Sequence, residues 1–247
     1  MYSLYNFHFL DTVSKQLLEM LSGLGISSLN QLELSKLQAF QEENHSKKGV
    51  YLLHYQGNPV YLGKADDIAE RLQQHYYKLC GRENIDIDEI GFKCIVLDES
   101  MSTAANEELL ISLFQRDHSG MWNNSGFGAK DPGRQRDSTK PGAFDQQHPI
   151  RKDYDLEFRD INGTIGDFVA QAKQQLPYIF RFEISADLLS RPISISPIRL
   201  TVEEFVSQLV KYLGPDYQAN ILSFGITIYA EEKEYQYGKV IRANTLN

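Results

Sequence analysis

Gly49-Val-Tyr-Leu-Leu-His-Tyr-Gln-Gly-Asn-Pro-Val-Tyr-Leu-Gly-Lys-Ala65 reads as a β-hairpin. Residues 49–55 are an apolar and aromatic run of strand length. Gly57-Asn58 is a two-residue turn signal, and the strand pattern resumes at Val60-Tyr-Leu-Gly63. Working outward, Asp67 with Glu70 has the spacing of a helix capping box. Ile68, Leu72, Tyr76 and Leu79 then mark a helical stripe. Residues 92–97 form a further strand run. Residues 103–116 form a helix with Leu110, Ile111 and Phe114 on its apolar face. Upstream, residues 11–41 carry leucines at three-to-four spacing, interrupted around Gly23 and Gly25.

These patterns predict an α+β fold: a small antiparallel sheet, made of the hairpin plus a third strand, flanked by helices. From Trp122 to about Asp155 the chain turns rich in Gly, Pro, Asp, Arg and Gln, the composition of a long loop that is either functional or disordered. Beyond it, residues 156–247 read as a second small α+β domain. Helices are expected over 165–176 and 201–213, and strands over 178–184, 221–229 and 239–243. The boundary is placed near 155, giving domains 1–155 and 156–247. No internal repeat is legible.

The chain has 247 residues, 42% of them apolar and 23% charged. That is ordinary globular composition and excludes a disordered or collagen-like chain. No apolar run reaches the ~18 residues of a membrane span, and the N-terminus carries no signal-peptide pattern. Two cysteines, Cys80 and Cys94, build neither a disulfide framework nor a zinc quartet, so a reduced, cytoplasmic protein is expected. The net charge of −8 argues against a general nucleic-acid binder. Yet the window 120–152 is net +3, a local basic patch inside an acidic chain.

Several side chains could carry chemistry. Tyr51 and Tyr61 stand on the two strands of the hairpin, although two tyrosines also pack across many hairpins. Arg71 and His75, four residues apart, share a helix face at the edge of the apolar stripe, where a cation points into a cleft or into solvent. Glu107 lies three, four and seven residues from Leu110, Ile111 and Phe114, at the end of an apolar stripe. Glu108 lies on the polar face with Ser112 and Gln115. A carboxylate placed as Glu107 is costly unless it meets a cation or a metal, and Arg71 is one such partner. The loop 123–136 brings glycines together with Arg134 and Arg136, residue types suited to phosphate or guanine.

Taken together these residues resemble the GIY-YIG nuclease superfamily. The first signature stands as Gly49-Val50-Tyr51 and the second as Tyr61-Leu62-Gly63, followed by Lys64-Ala65. Next come the helix arginine Arg71, the helix carboxylate Glu107 and the terminal asparagine Asn123. A closer resemblance, over about residues 1–150, is to the type II restriction endonucleases that cut CCGCGG. His75 follows Arg71 by four residues, as it does there. Trp122-Asn123, Gly126-Phe127-Gly128, Asp131-Pro132-Gly133 and Asp145-Gln-Gln-His148-Pro149 are similar to that branch.

The resemblance implies a metal-dependent DNA endonuclease that hydrolyses phosphodiester bonds, a restriction or antiphage defence enzyme. It implies a catalytic set of Tyr51, Tyr61, Lys64, Arg71, His75, Glu107 and Asn123, with Tyr51 as general base and Arg71 on the scissile phosphate. Glu107 would hold one Mg²⁺ ion per active site, and Lys130, Arg134, Arg136 and His148 would contact DNA. Double-stranded DNA is the expected partner, and a palindromic target implies a homodimer. Two alternatives remain. The C-terminal domain could bind a protein partner, making the chain one subunit of a defence system, or the scaffold could bind DNA without cutting it.

Overall fold

The computed structural model describes residues 8–98, 107–117, 121–128 and 133–243. Lys130 and most of Asp131-Pro132-Gly133 lie outside the described residues, as do the first residues of the helix expected over 103–116. No described helix is long and apolar enough to cross a membrane.

The chain divides into two compact units. The first comprises residues up to Tyr77 together with Ile85–Phe127. It begins with α1 (Phe9–Gly23), the short β1 (Ser27–Ser28) and α2 (Gln31–Glu43). The Asn30 side chain caps α2 by accepting from the Glu33 N–H at 2.9 Å. Next come β2 (Gly49–Tyr55), β3 (Asn58–Ala65), α3 (Ile68–Cys80, whose last residues pack with the second unit), β4 (Ile90–Val96) and α4 (Glu107–Asp117). The strands form one antiparallel sheet in the order β1-β4-β2-β3, which leaves β3 at an edge.

Strand alternation gives this sheet two faces. Val50, Leu52 and Leu62 pack in one core with Val13, Leu17 and Leu21 of α1 and Leu110 and Phe114 of α4. Tyr51, Leu53, Tyr61 and Gly63 take the other face. The expected hairpin is present, but its turn is one residue earlier than the sequence suggests. Gln56 and Gly57 have positive φ (52° and 76°), and Tyr55 pairs with Asn58. A bulge then shifts the ladder: His54 pairs with Pro59, and Leu53 pairs with Tyr61. Val60 is the extra residue. Without it Tyr61 would face Leu52 and the hydrophobic core, because a one-residue slip sends every side chain to the opposite face.

On α3 the Asp67 carboxylate accepts from the Glu70 N–H at 3.1 Å, as its spacing predicts. The buried stripe runs through Ile68, Leu72, His75 and Leu79, with Tyr76 half-buried. His75 takes the inward position expected of Tyr76.

The second unit comprises Lys78–Asn84 and the chain from Gly128 onward. Division by packing therefore falls at Phe127/Gly128 rather than near 155. The reason lies in Asp145, which is fully buried and bridges Arg82 (3.0 Å) and Arg136 (2.5 Å). Arg82 also donates to the carbonyls of His148 and Ser223 at 3.0 Å. These ties hold the short helix α5 (Ala143–Gln147) to the C-terminal strands.

The remaining elements are β5 (Asp155–Phe158), β6 (Ile161–Thr164), α6 (Ile165–Gln175), β7 (Ile179–Phe182), α7 (Ala186–Leu189), β8 (Pro192–Ile195), β9 (Ile198–Thr201), α8 (Val202–Leu213), β10 (Gln218–Leu222), β11 (Gly225–Tyr229) and β12 (Lys239–Arg242). The strand expected over 221–229 is thus broken by a turn at Ser223-Phe224. β10 and β11 form a hairpin within the sheet β12-β10-β11-β7.

A repeat that is not legible in the sequence is present here. β5-β6-α6 and β8-β9-α8 are equivalent units offset by the distance from Thr164 to Thr201. Thr164-Ile-Gly-Asp-Phe-Val-Ala-Gln171 matches Thr201-Val-Glu-Glu-Phe-Val-Ser-Gln208. Both threonines close a full capping box, with Asp167 and Glu204 respectively. β5 pairs with β9 and β6 with β8, so each half pairs only with its counterpart. The equivalent rings Phe168 and Phe205 meet at 5.0 Å. The surviving identities are too sparse to be read without that pairing.

Candidate active site

The site lies on the α3 side of the β2–β3 ladder, within the first unit. Tyr51 is directly opposite Gly63, and a Cβ added there would stand 2.4 Å from the Tyr51 hydroxyl. Glycine at 63 therefore clears the space for the ring. Tyr51 is buried, and its hydroxyl is 2.8 Å from Nε2 of His75. The Tyr61 ring lies 6.1 Å from that of Tyr51 and 5.3 Å, edge-on, from that of His75.

Arg71, one turn before His75, reaches both phenol hydroxyls. It also donates to the Gln74 carbonyl oxygen at 3.0 Å, and Gln74 in turn donates to Glu70 at 3.2 Å. Burial pushes the Tyr51 phenol well above its ordinary pKa, with Tyr61 adding to the rise. The Arg71 guanidinium pulls the other way and does not win. Burial raises Tyr61 too, again against Arg71. Tyr51 is thus a protonated phenol beside an imidazole.

The outer edge of β3 is closed by side chains and loop backbone. The Trp122 N–H donates to the Val60 carbonyl at 2.5 Å. Asn123 pairs with Leu62 in both directions: its Oδ1 accepts from the Leu62 N–H at 3.0 Å and its Nδ2 donates to the Leu62 carbonyl at 2.8 Å. Glu107 Oε1 accepts from the Lys64 N–H at 3.3 Å. A bare strand edge is thereby paired, and the same bonds fix Asn123 and Glu107 beside the tyrosines.

Among the described residues no group of three His, Cys, Asp or Glu is placed to hold a metal. The acidic donor at the site is Glu107, which is exposed and whose Oε2 makes no hydrogen bond among the described residues. A single carboxylate completed by waters and a substrate phosphate suits a hard ion such as Mg²⁺.

The structure brings Tyr51, Tyr61, Arg71, His75, Glu107 and Asn123 together. Lys64 enters through its backbone, since it pairs with Val50 and the pleat directs its side chain away from the Tyr51 face. The loop residues have partners of their own in the second unit. Arg136 is paired with buried Asp145 and lies 3.9 Å from the Phe224 ring centroid. Arg134 meets Glu183 at 3.1 Å and Glu231 at 2.7 Å, over the Tyr229 ring. The His148 ring lies 5.2 Å from that of Phe144 and is tilted to it by 46°, and burial holds its imidazole below the usual range.

Residues 56–157 match the family model of the Eco29kI GIY-YIG domain. Over these residues the chain is similar to a GIY-YIG domain of the restriction-endonuclease kind. The matched stretch contains Tyr61, Arg71, His75, Glu107 and Asn123, and Tyr51 lies just before it. It covers less than half of the chain and runs past Phe127 into the second unit. No curated protein matches the chain. Similarity to a GIY-YIG domain implies a nuclease, and the α+β architecture is the one expected of it.

Three residues gain a function only from the geometry. In the sequence Phe127 and Gly63 are motif letters without a role, and Gln74 carries no signal. In the structure Phe127 lies on His75 with centroids 4.8 Å apart, Gly63 clears room for Tyr51, and Gln74 holds Arg71. A glycine opposite a tyrosine in a hairpin is the one signal of these that a sequence can offer.

Proposed function

We propose that this chain is a metal-dependent DNA endonuclease that hydrolyses phosphodiester bonds, acting as a restriction or antiphage defence enzyme. The observation that carries the reading is the meeting of Tyr51, Tyr61, His75 and Arg71 on one face of the hairpin, with Glu107 at its edge.

Hydrolysis needs an attacking water, charge stabilisation at the phosphoryl group and a stabilised leaving oxygen. Tyr51 keeps its proton, so it serves best as a relay. It accepts the proton of the attacking water while passing its own to Nε2 of His75. That direction requires neutral His75 with its ring proton on Nδ1. Arg71 clamps the scissile phosphate, and its bond to Gln74 aims the guanidinium. Tyr61 orients water or phosphate. Glu107 would hold Mg²⁺, which supplies positive charge next to the phosphoryl and leaving oxygens. Arg134, half exposed, would exchange its carboxylate partners for DNA phosphate. Arg136 is already committed to buried Asp145 and is a poorer DNA contact. A palindromic target would be met by a homodimer, one site per strand.

The test is a digest of plasmid and phage DNA with Mg²⁺ or EDTA, wild type beside Glu107→Gln. Discrete metal-dependent fragments, lost in the variant, are expected. Cleavage in EDTA, or cleavage by Glu107→Gln at the wild-type rate, would overturn the metal assignment. A wild type inert on both modified and unmodified DNA would overturn the nuclease reading.

A further inference from the structure

The 121–128 segment places a ring that the catalytic reading does not use. Phe127 is 2% exposed and stacks on His75 with centroids 4.8 Å apart and planes at 23°. Two further rings meet it edge-on: Tyr61 at 5.0 Å and 81°, and Trp122 at 5.1 Å and 60°. The backbone is shaped to press this side chain inward. Gly126 and Gly128 have φ of +107° and +76°, so the chain turns through glycine-favouring conformations on both sides of Phe127. Upstream, the segment is fastened to β3 by the Trp122–Val60 bond and by both Asn123–Leu62 bonds.

The histidine χ2 torsion is broad, with no sharp staggered wells. The hydrogen bond between the Tyr51 hydroxyl and Nε2 fixes one atom of the ring. A face-stacked neighbour holds the plane.

We propose that Phe127 is a positioning residue: it sets the plane of the His75 ring and so the alignment of Nε2 with the Tyr51 hydroxyl. This rests on the nuclease reading for its effect on rate but not for its effect on the ring. Phe127 has no polar side-chain atom and acts through His75. Misalignment of a proton acceptor lowers turnover without removing a DNA contact, and an error near 1 Å costs up to ~100-fold.

The experiment compares full-length wild type, Phe127→Leu and Phe127→Tyr by single-site cleavage kinetics and by NMR of ¹⁵N-histidine-labelled protein, with the His75 signals assigned from a His75→Gln sample. Leu17→Ala, in the core beneath the opposite face of the sheet, is the control for lost stability alone. Phe127→Leu is expected to lose roughly 10- to 100-fold in kcat with KM within about twofold. Its His75 ring-nitrogen signals should move toward tautomer averaging. Phe127→Tyr, which can still stack, should recover most of the rate and the wild-type signals, and Leu17→Ala should keep both. If Phe127→Leu fails to fold, Phe127→Met fills the same space without a ring and is read in the same way. Unchanged His75 signals, or wild-type kcat, in the ring-less variant would overturn the proposal. If wild type cleaves no DNA but the His75 signals shift, the nuclease reading falls and the positioning role stands.

Discussion

Tyr51 stands directly across the β2–β3 ladder from Gly63, and any side chain at 63 enters its ring. An added Cβ would be 2.4 Å from the hydroxyl and 2.6 Å from Cζ. The ring is 1% exposed and cannot swing away as a surface side chain would. Gly63→Ala should therefore displace the phenol from Nε2 of His75. Overpacking of this kind costs about 1–3 kcal/mol. We expect a modest fall in Tm and a loss of cleavage of ~100-fold or more. Near-normal turnover in Gly63→Ala would show that the Tyr51–His75 alignment is not needed.

Glu107 and Glu108 are neighbours with different duties. Glu107→Gln keeps a carbonyl oxygen to accept from the Lys64 N–H, so the strand edge should hold. The variant should bind DNA nearly as wild type and fail to cleave it. Glu108 is exposed, and Glu108→Gln should be nearly silent. Cleavage assays paired with gel-shift titrations check both, and a strong effect at Glu108 would contradict the assignment.

Asn123 is 7% exposed and uses both ends of its amide on Leu62. Asn123→Asp keeps the acceptor for the Leu62 N–H but turns an oxygen toward the Leu62 carbonyl. A buried unpaired acceptor costs about 1–3 kcal/mol. The loss should appear in the urea midpoint, and protection of the Leu62 amide from hydrogen exchange should fall with it. Unchanged protection would argue against the edge-closing role.

Asp145 neutralises two arginines in the second unit. Its side chain is 0% exposed, and that of Arg82 is 2% exposed. Removing one partner of a buried pair costs about 3–5 kcal/mol, because the other charge is left uncompensated. Asp145→Ala should be strongly destabilising, whereas Arg134→Ala, on exposed ion pairs, should cost less than ~1 kcal/mol. Urea titration of both variants decides this.

Alkaline pH should loosen the fold. Burial raises the Tyr51, Tyr61 and Tyr178 phenols above the ordinary value, and burial together with the Asp137 charge pushes Tyr229 to about 12. The unfolded chain ionises its phenols near ~10, while the folded chain keeps these protons longer. Their contribution is fully present below pH ~10 and is lost as pH rises through the folded values. The urea midpoint should be level between about pH 7 and 9 and should fall above ~10. A level midpoint up to pH ~12 would contradict these environments.

Local chemistry was legible in the chain itself. Alternating apolar residues, a Gly-containing turn and a capping carboxylate at Asp67 are short-range signals, and the hairpin, α3 and the apolar face of α4 could be read from them. The order Tyr51, Tyr61, Arg71, His75, Glu107, Asn123 also lies along the sequence, so the membership of the site could be named before its geometry was known. The rest depends on register and on partners distant in sequence. The bulge at Val60 turns Tyr61 toward Tyr51, and no local pattern announces one extra residue in a ladder. The partner of Arg136 is nine residues away in sequence and no local pattern announces it; the structure pairs the arginine with buried Asp145. His75 and Tyr76, three and four residues after Leu72, flank the same apolar stripe, and the structure buries His75, stacked on Phe127. The repeat in the second unit emerges from the pairing of β5 with β9 and β6 with β8. Backbone hydrogen bonds maintain such a pairing while most side chains diverge.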